Sequence, residues 1–379
     1  MECGNFSTGN QSGSAIMINK KLGGNMKVKK FVPVLLVLIL FMGMMSGCVP
    51  SDSSGSSDTE SSITSSDNGT ENDDPEDDPG SMPFDIANIA TISTVYMTAD
   101  ISSKGLMAVY NALGRKATGK VAVKINTGEA GDTYYLHPNL IKGLVQSVKG
   151  TIVECNTAYG GSRANTAMHL QVAKDHGFTS IANVDIMDAD SSTSLPVKNG
   201  MHLKEDLVGS HIKNYDSMIV LSHFKGHVMA GFGGAIKNMS IGIASSKGKL
   251  RIHGAGASIT SIFSSSASQD DFLESMAEAA KAVADYEGNH IMYINVMNNL
   301  SVDCDCDSNP AAPTMKDIGI LASLDPVALD QACVDFVYKA PDGKDLIERI
   351  DSRNGTHMLD HAQEIGLGSE SYNLVQING

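Results

Sequence analysis

The side chains best suited to chemistry lie in two short stretches. The first, SHFKGHVMAGFGGAIKN, places His223 and His227 before a run of glycines and Lys237 after it; His253 follows sixteen residues later in KLRIHG. Imidazoles and an amine that converge on one point can ligate a transition metal or move protons, because imidazole titrates near neutral pH and offers a nitrogen lone pair. Gly231, Gly233 and Gly234 permit positive φ and close backbone approach, and successive N–H groups in such a turn can cradle an anion with Lys237 at the rim. The GKS or GKT order of a phosphate-binding P-loop is absent, so the plain alternative is a structural turn flanked by surface or capping histidines.

The second stretch, SVDCDCDSNPAAP, alternates Asp303, Cys304, Asp305, Cys306 and Asp307. In an extended loop this sends the two cysteines to one side and the three aspartates to the other, so the thiolates form half of a soft metal site that His227 or His253 would complete. The alternative is a proline-ended loop with capping aspartates and incidental thiols. Cys304 and Cys306 are too close in sequence for an unstrained disulfide, whereas Cys155 and Cys333 sit in apolar contexts that suit core positions.

The elements that must carry these residues alternate. ATISTVYMT, KVAVKI and GTIVECN read as strands; SKGLMAVYNALG, HPNLIKGLVQSV and ANTAMHLQVAKDHG read as helices, with Pro138 in the first turn of the second. DSMIVLSHFKGH predicts a buried strand running into the first motif, and ligands of open parallel sheets collect at strand C-termini. A long amphipathic helix is expected from Asp270 to Tyr286, then strands in HIMYINVM and DIGILAS, a helix capped by Asp325 with Pro326 at its start, and finally two helices and a strand. This order predicts an α/β fold, a mainly parallel sheet flanked by helices, in one domain or two closely joined lobes over residues 82–379.

The preceding residues have another character. Lys27, Lys29 and Lys30 precede an apolar run from Phe31 to Met45, too short to span a membrane comfortably, which ends at Ser46, Gly47 and Cys48. Residues 1–48 therefore read as an N-terminal extension and secretory signal, with Met26 the natural start. Residues 49–81 are Ser, Asp, Glu and Gly with scarcely an apolar side chain, and are expected to form a disordered tether. The whole chain carries −15; the first 48 residues hold +4 and the tether −10, which leaves −9 on residues 82–379 and argues against a nucleic-acid partner.

Met-Ser-Gly before Cys48 resembles a lipoprotein lipobox, which implies cleavage there, lipidation of Cys48 and an extracytoplasmic domain anchored to the cell membrane. From Ser222 to Gly254, and again from Val302 to Val337, the sequence resembles the family known as domain of unknown function 362, over about residues 120–338. Many members of that family carry a ferredoxin-like insert after the first motif. Here residues 254–271 are short and cysteine-free, so no iron–sulfur cluster is expected, although a redox-associated protein that has lost its insert stays open.

More distantly, His227, the glycines, Lys237 and His253 resemble the nickel-pincer lactate racemases. That likeness implies His227 as acid/base, Lys237 as covalent anchor of a pincer nucleotide, and His253 as metal ligand, with His223 a further candidate ligand. The second base of those enzymes has no histidine counterpart in ECNTAYGGSR, so symmetric racemisation is not expected; Tyr159 and Arg163 could still contact a ligand, and Lys124 could meet a phosphate. The chain is thus expected to bind a small molecule, a transition metal or a phosphorylated cofactor, as a metal-assisted proton-transfer enzyme or as a non-catalytic binding protein.

Overall fold

The structure, a computed structural model, describes residues 92–378 and the strand Ala15–Met17. The expected signal, Cys48 and the acidic tether lie outside the described residues. Among the described residues no helix is long and apolar enough to cross a membrane.

Among the described residues there are thirteen strands and nine α-helices, which include all the predicted strands and helices. The strands are β1 (Ala15–Met17), β2 (Ser93–Thr98), β3 (Val121–Lys124), β4 (Thr151–Glu154), β5 (Val184–Ile186), β6 (Ser192–Pro196), β7 (Glu205–Gly209), β8 (Ser217–His223), β9 (Lys225–His227), β10 (Gly231–Gly233), β11 (Ile291–Met297), β12 (Gly319–Ser323) and β13 (Tyr372–Gln376). The helices are α1 (Ser103–Ala112), α2 (Pro138–Ser147), α3 (Thr166–Asp175), α4 (Ala235–Met239), α5 (Ser246–His253), α6 (Gln269–Glu287), α7 (Pro326–Lys339), α8 (Lys344–Ser352) and α9 (His357–Glu364). Beyond the predicted elements, these add β1, β5, β6, β7, β9, β10, α4 and α5. Local chemistry sets several ends: Ser102 caps α1, Asp325 accepts from Val327 and Ala328 at the start of α7, and Ser268 forms a capping box with Asp271 on α6.

One sheet runs β1-β13-β2-β12-β11-β8-β3-β4-β5. β12 and β1 run against the other seven strands, so the sheet is mainly parallel as predicted, with a reversal at β12 that the βαβα pattern does not encode. Every residue of β8 and β11 is buried, as expected of central strands covered on both faces. Their side chains alternate between two cores. Val123, Ile219, Leu221 and Ile294 pack with α1, α2 and α3, while Ala122, Met218, Val220 and Tyr293 pack with α4, α6 and α7.

Two small antiparallel ribbons, β6 with β7 and β9 with β10, were not legible in sequence. β6 is largely exposed and polar, and β9 and β10 contain three glycines between them. Neither offers the apolar alternation that marks a strand.

β3 and β4 are neighbours and end on Lys124 and Glu154, whose buried charges pair at 2.8 Å. Burial pushes the Glu154 carboxyl up, but Lys124, His169 and Arg163 outweigh it and hold the group well below its usual 4.5. Its contribution to stability is therefore complete above the unfolded-state value and is lost only as pH falls through the lower folded-state value. Burial already lowers the Lys124 amine against the pull of Glu154, so Glu154→Gln strands a buried cation and should cost about 3–5 kcal/mol in urea denaturation at neutral pH, and less in mildly alkaline solution where that amine sheds its proton. Glu287 behaves oppositely. It ends α6 with Oε1 lacking a hydrogen bond, and burial raises it to about 7. Its stability contribution is full below the unfolded-state value of 4.5 and lost as pH rises through about 7. Glu287→Gln should therefore exceed the wild type by about 1–2 kcal/mol in mildly alkaline solution, with the gap closing in acid, as urea midpoints across pH would register.

Candidate functional site

The C-terminal ends of β3, β4 and β8 open into a cavity of about 520 Å³, lined by both sequence motifs. His227, Lys237, His253, Cys304 and Cys306 all border it, together with Lys124, Arg163, His223, Gly233 and Gly234, whereas Gly231 does not.

The glycine-rich segment is not the anion-cradling loop that its composition suggests. It is the β9–β10 ribbon, in which His227 pairs with Gly231 and Lys225 with Gly233, followed directly by α4. Gly226 is needed because a Cβ there would sit 2.2 Å from the carbonyl oxygen of Val302, so the ribbon can lie flat on the cysteine loop. At Gly234 a Cβ would meet Asp330, whose carboxylate accepts from the N–H groups of Ala235 and Ile236 at 2.8 and 2.9 Å. The start of α4 is thus filled by a carboxylate of the chain itself, donated from α7.

The cysteine loop is pinned through Asp305. Its Oδ1 lies 2.8 Å from His223 Nδ1, its Oδ2 accepts from Lys225 Nζ at 2.8 Å, and its carbonyl accepts from Glu129 N–H at 2.7 Å. Burial opposes this charge, but His223 and Lys225 hold the carboxyl below its ordinary value. His223 Nε2 lies 2.6 Å from the Asn298 carbonyl, so both its ring nitrogens face acceptors. The metal-ligand role expected of His223 is corrected on that ground: each ring nitrogen is already engaged by an oxygen of the chain, and the side chain braces Asp305.

Asp307 N–H donates to the Cys304 carbonyl, so the segment is a turn, not the extended loop expected. Cys304 and Cys306 border the cavity and Asp305 does not, but Asp303 and Asp307 border it too, so the expected segregation of all three aspartates from the cysteines does not hold. The sulfurs of both cysteines and a ring nitrogen of His227 lie within 4.8 Å of one another. Hydrogen bonding from Cys306, with Lys237 and Lys225 nearby, holds the Cys304 thiol well below the usual range against the effect of burial; Cys306 is raised in turn. Lys237 Nζ stands 3.9 Å from Cys304 Sγ.

The two cavity histidines carry their protons on different nitrogens. His227 Nδ1 accepts from Ala230 N–H at 2.9 Å and Met229 N–H at 3.2 Å, which places its proton on Nε2. His253 Nδ1 lies 2.7 Å from the Lys249 carbonyl and must donate, leaving Nε2 with a lone pair. Burial lowers both, with Lys237 adding to it; His253 falls to about 4 and His227 well below its ordinary value. Both rings are neutral at physiological pH, one presenting a donor and the other an acceptor.

The remaining cations are mostly compensated. Lys124 is held by Glu154 and by Asn238 Oδ1 at 2.9 Å; Arg163 bonds Glu129, Asn126 and the Tyr159 hydroxyl and approaches Glu154. The phosphate contact expected of Lys124 and the ligand contact expected of Arg163 would break these buried pairs. Lys237 and Lys249 form no ion pair with a carboxylate among the described residues, and both border the cavity. Sequence reasoning missed Lys249, Glu129, Glu154 and Asp330. Glu154, at the end of an apolar strand, was the one position with a visible signal.

Solved structures that resemble the chain do so at low similarity. Among them are the lactate racemase apoprotein from Thermoanaerobacterium thermosaccharolyticum (TM-score 0.36, 16% identity, 53% of this chain and 50% of that one) and a structural-genomics protein from Thermotoga maritima (TM-score 0.35, 13% identity, 57% and 54%). The chain spans only about half the length of each. No curated protein matches the sequence. Residues 121–335, more than half of the 379, match Domain of unknown function (DUF362), a span that includes His227, Lys237, His253 and both cavity cysteines. The chain belongs to that family.

Proposed function

We propose that the protein binds a transition metal through Cys304, Cys306 and His227, next to a small anionic ligand received by Lys237 and Lys249, and that His253 exchanges a proton with that ligand. The observation that carries the proposal is the convergence of two sulfurs and an imidazole nitrogen within 4.8 Å on the wall of a cavity. The donor set fits a soft or borderline ion such as zinc, nickel or cobalt, and three protein ligands leave a coordination position for a small molecule. The ionised Cys304 is ready to bind, while His227 must give up its Nε2 proton to serve as a ligand, a specific cost of the arrangement.

A metal there would act as a Lewis acid on the ligand. The chain's own groups do the rest. Lys237 and Lys249 orient an anionic group, Phe272 excludes water from the wall beneath it, and His253 Nε2 can accept a proton without first losing one. The nickel-pincer reading uses the same His227, Lys237 and His253 and would appear as a covalent mass on Lys237. Protein purified without a histidine tag and loaded with cobalt should show thiolate-to-cobalt charge-transfer absorption, abolished in Cys304→Ser/Cys306→Ser. No such absorption, or absorption indifferent to that double substitution, overturns the metal site. With a substrate in hand, His253→Ala should lose turnover and keep affinity; turnover absent from the wild type as well supports the non-catalytic binding protein.

We place this domain outside the cytoplasm on a lipid anchor at Cys48. The support is the order of basic, apolar and small residues from Lys27 to Cys48, followed by an acidic tether. Cys48→Ala should abolish labelled fatty-acid incorporation and move the protein out of the membrane fraction; persistence of both labelling and fractionation would refute the anchor.

A further inference from the structure

Away from the cavity, α6 and α9 face each other across a seam of histidines and carboxylates. Glu274 on α6 holds two imidazoles at once: Oε2 lies 2.6 Å from His202 Nε2 and Oε1 lies 2.8 Å from His357 Nε2. Asp271, one turn earlier on α6, brings a carboxylate oxygen within 4.8 Å of the ligand atoms of both His202 and Glu274. One turn later on each helix, Glu278 and His361 repeat the pairing in the buried layer. His361 is 3% exposed, its Nε2 has no hydrogen-bond partner, and that nitrogen stands 3.7 Å from Glu278. Glu278 itself is saturated by the N–H groups of Met201, His202 and Leu203.

We infer that His202, Asp271 and Glu274 form a second, thiolate-free divalent-metal site, with His357 as the positioning residue that orients Glu274. One imidazole and two carboxylates are ordinary zinc donors, and three protein ligands leave room for water. A histidine holding the second oxygen of a ligating carboxylate is the outer-shell arrangement that such sites use to fix ligand orientation. The ligands come from two separate segments, the 200–203 loop and the first turns of α6, which a bound ion would tie together, with α9 attached through His357.

The site borders the cavity through the chain itself. Asp271 is followed by Phe272, whose ring packs on His253 at 4.8 Å between centroids. The carbonyl of His202 lies so close to Gly256 that a Cβ there would stand 2.2 Å from it, and Gly256 begins the segment that leads to the cavity lip at Ile262 and Phe263. The occupied site therefore stiffens one wall of the cavity without touching its ligand.

The inference is independent of the cysteine site, and one titration separates them. Untagged Cys304→Ser/Cys306→Ser protein should still bind one equivalent of cobalt or zinc, without thiolate charge transfer, and zinc should raise its melting temperature. His202→Gln or Asp271→Asn in that background should remove the equivalent and the thermal shift. His357→Ala should weaken binding by about 10- to 100-fold without abolishing it. Zinc should also slow amide exchange across residues 254–272. If the double cysteine variant proves unstable, the same substitutions in the wild type should remove the thiolate-free equivalent and leave the charge-transfer band intact. No uptake by the folded cysteine variant, or uptake unchanged by both His202→Gln and Asp271→Asn, overturns the site and leaves the seam as a set of histidine–glutamate pairs.

Discussion

Asp305 is the constraint on which the cavity depends. A carboxylate 2% exposed is tolerated only with partners that stay in place, and His223 and Lys225 supply them at 2.8 Å each. His223 ends the central strand β8, Lys225 begins the ribbon, and the Asp305 carbonyl holds the 129 loop, so three segments assemble around one residue. Cys304 and Cys306 flank it in sequence and are carried to the cavity wall as a consequence. Gly226 completes the fit by letting the ribbon touch the backbone of Val302.

The electrostatics of the cavity follow from which charges are already used. Lys124 and Arg163 belong to Glu154 and Glu129, and Lys225 belongs to Asp305, in pairs that share the low dielectric of the sheet edge. The start of α4, where a phosphate would otherwise find N–H groups, is filled by Asp330. What is left for a ligand is Lys237, Lys249, one imidazole donor and one imidazole acceptor. The cavity is thus poised for an anion by side chains and not by backbone. Its two histidines stay neutral because burial and the neighbouring lysine disfavour the charged form of each.

α6 joins this cavity to the histidine–glutamate seam. Its Phe272 supports His253 on one side while Asp271 and Glu274 face His202 on the other, all within a single helical turn. Helix geometry makes this possible, since adjacent residues point about 100° apart and serve different surfaces.

Much of this was legible in the amino-acid order, and the boundary is physical. Apolar runs marked β3, β4, β8 and β11; Pro138 and Asp325 with Pro326 marked helix starts; and the His, Gly, Lys and Cys spacing located the cavity at strand ends, because these signals are local and act through periodicity and capping. The reversed direction of β12, the pairing of Lys124 with Glu154, the capping of α4 by Asp330 some 95 residues away, and the diversion of His223 to Asp305 were decided only by the tertiary structure. Each depends on which distant groups share a buried volume. A sequence states which charges and lone pairs exist; only packing decides which of them are spent on one another and which remain for a ligand.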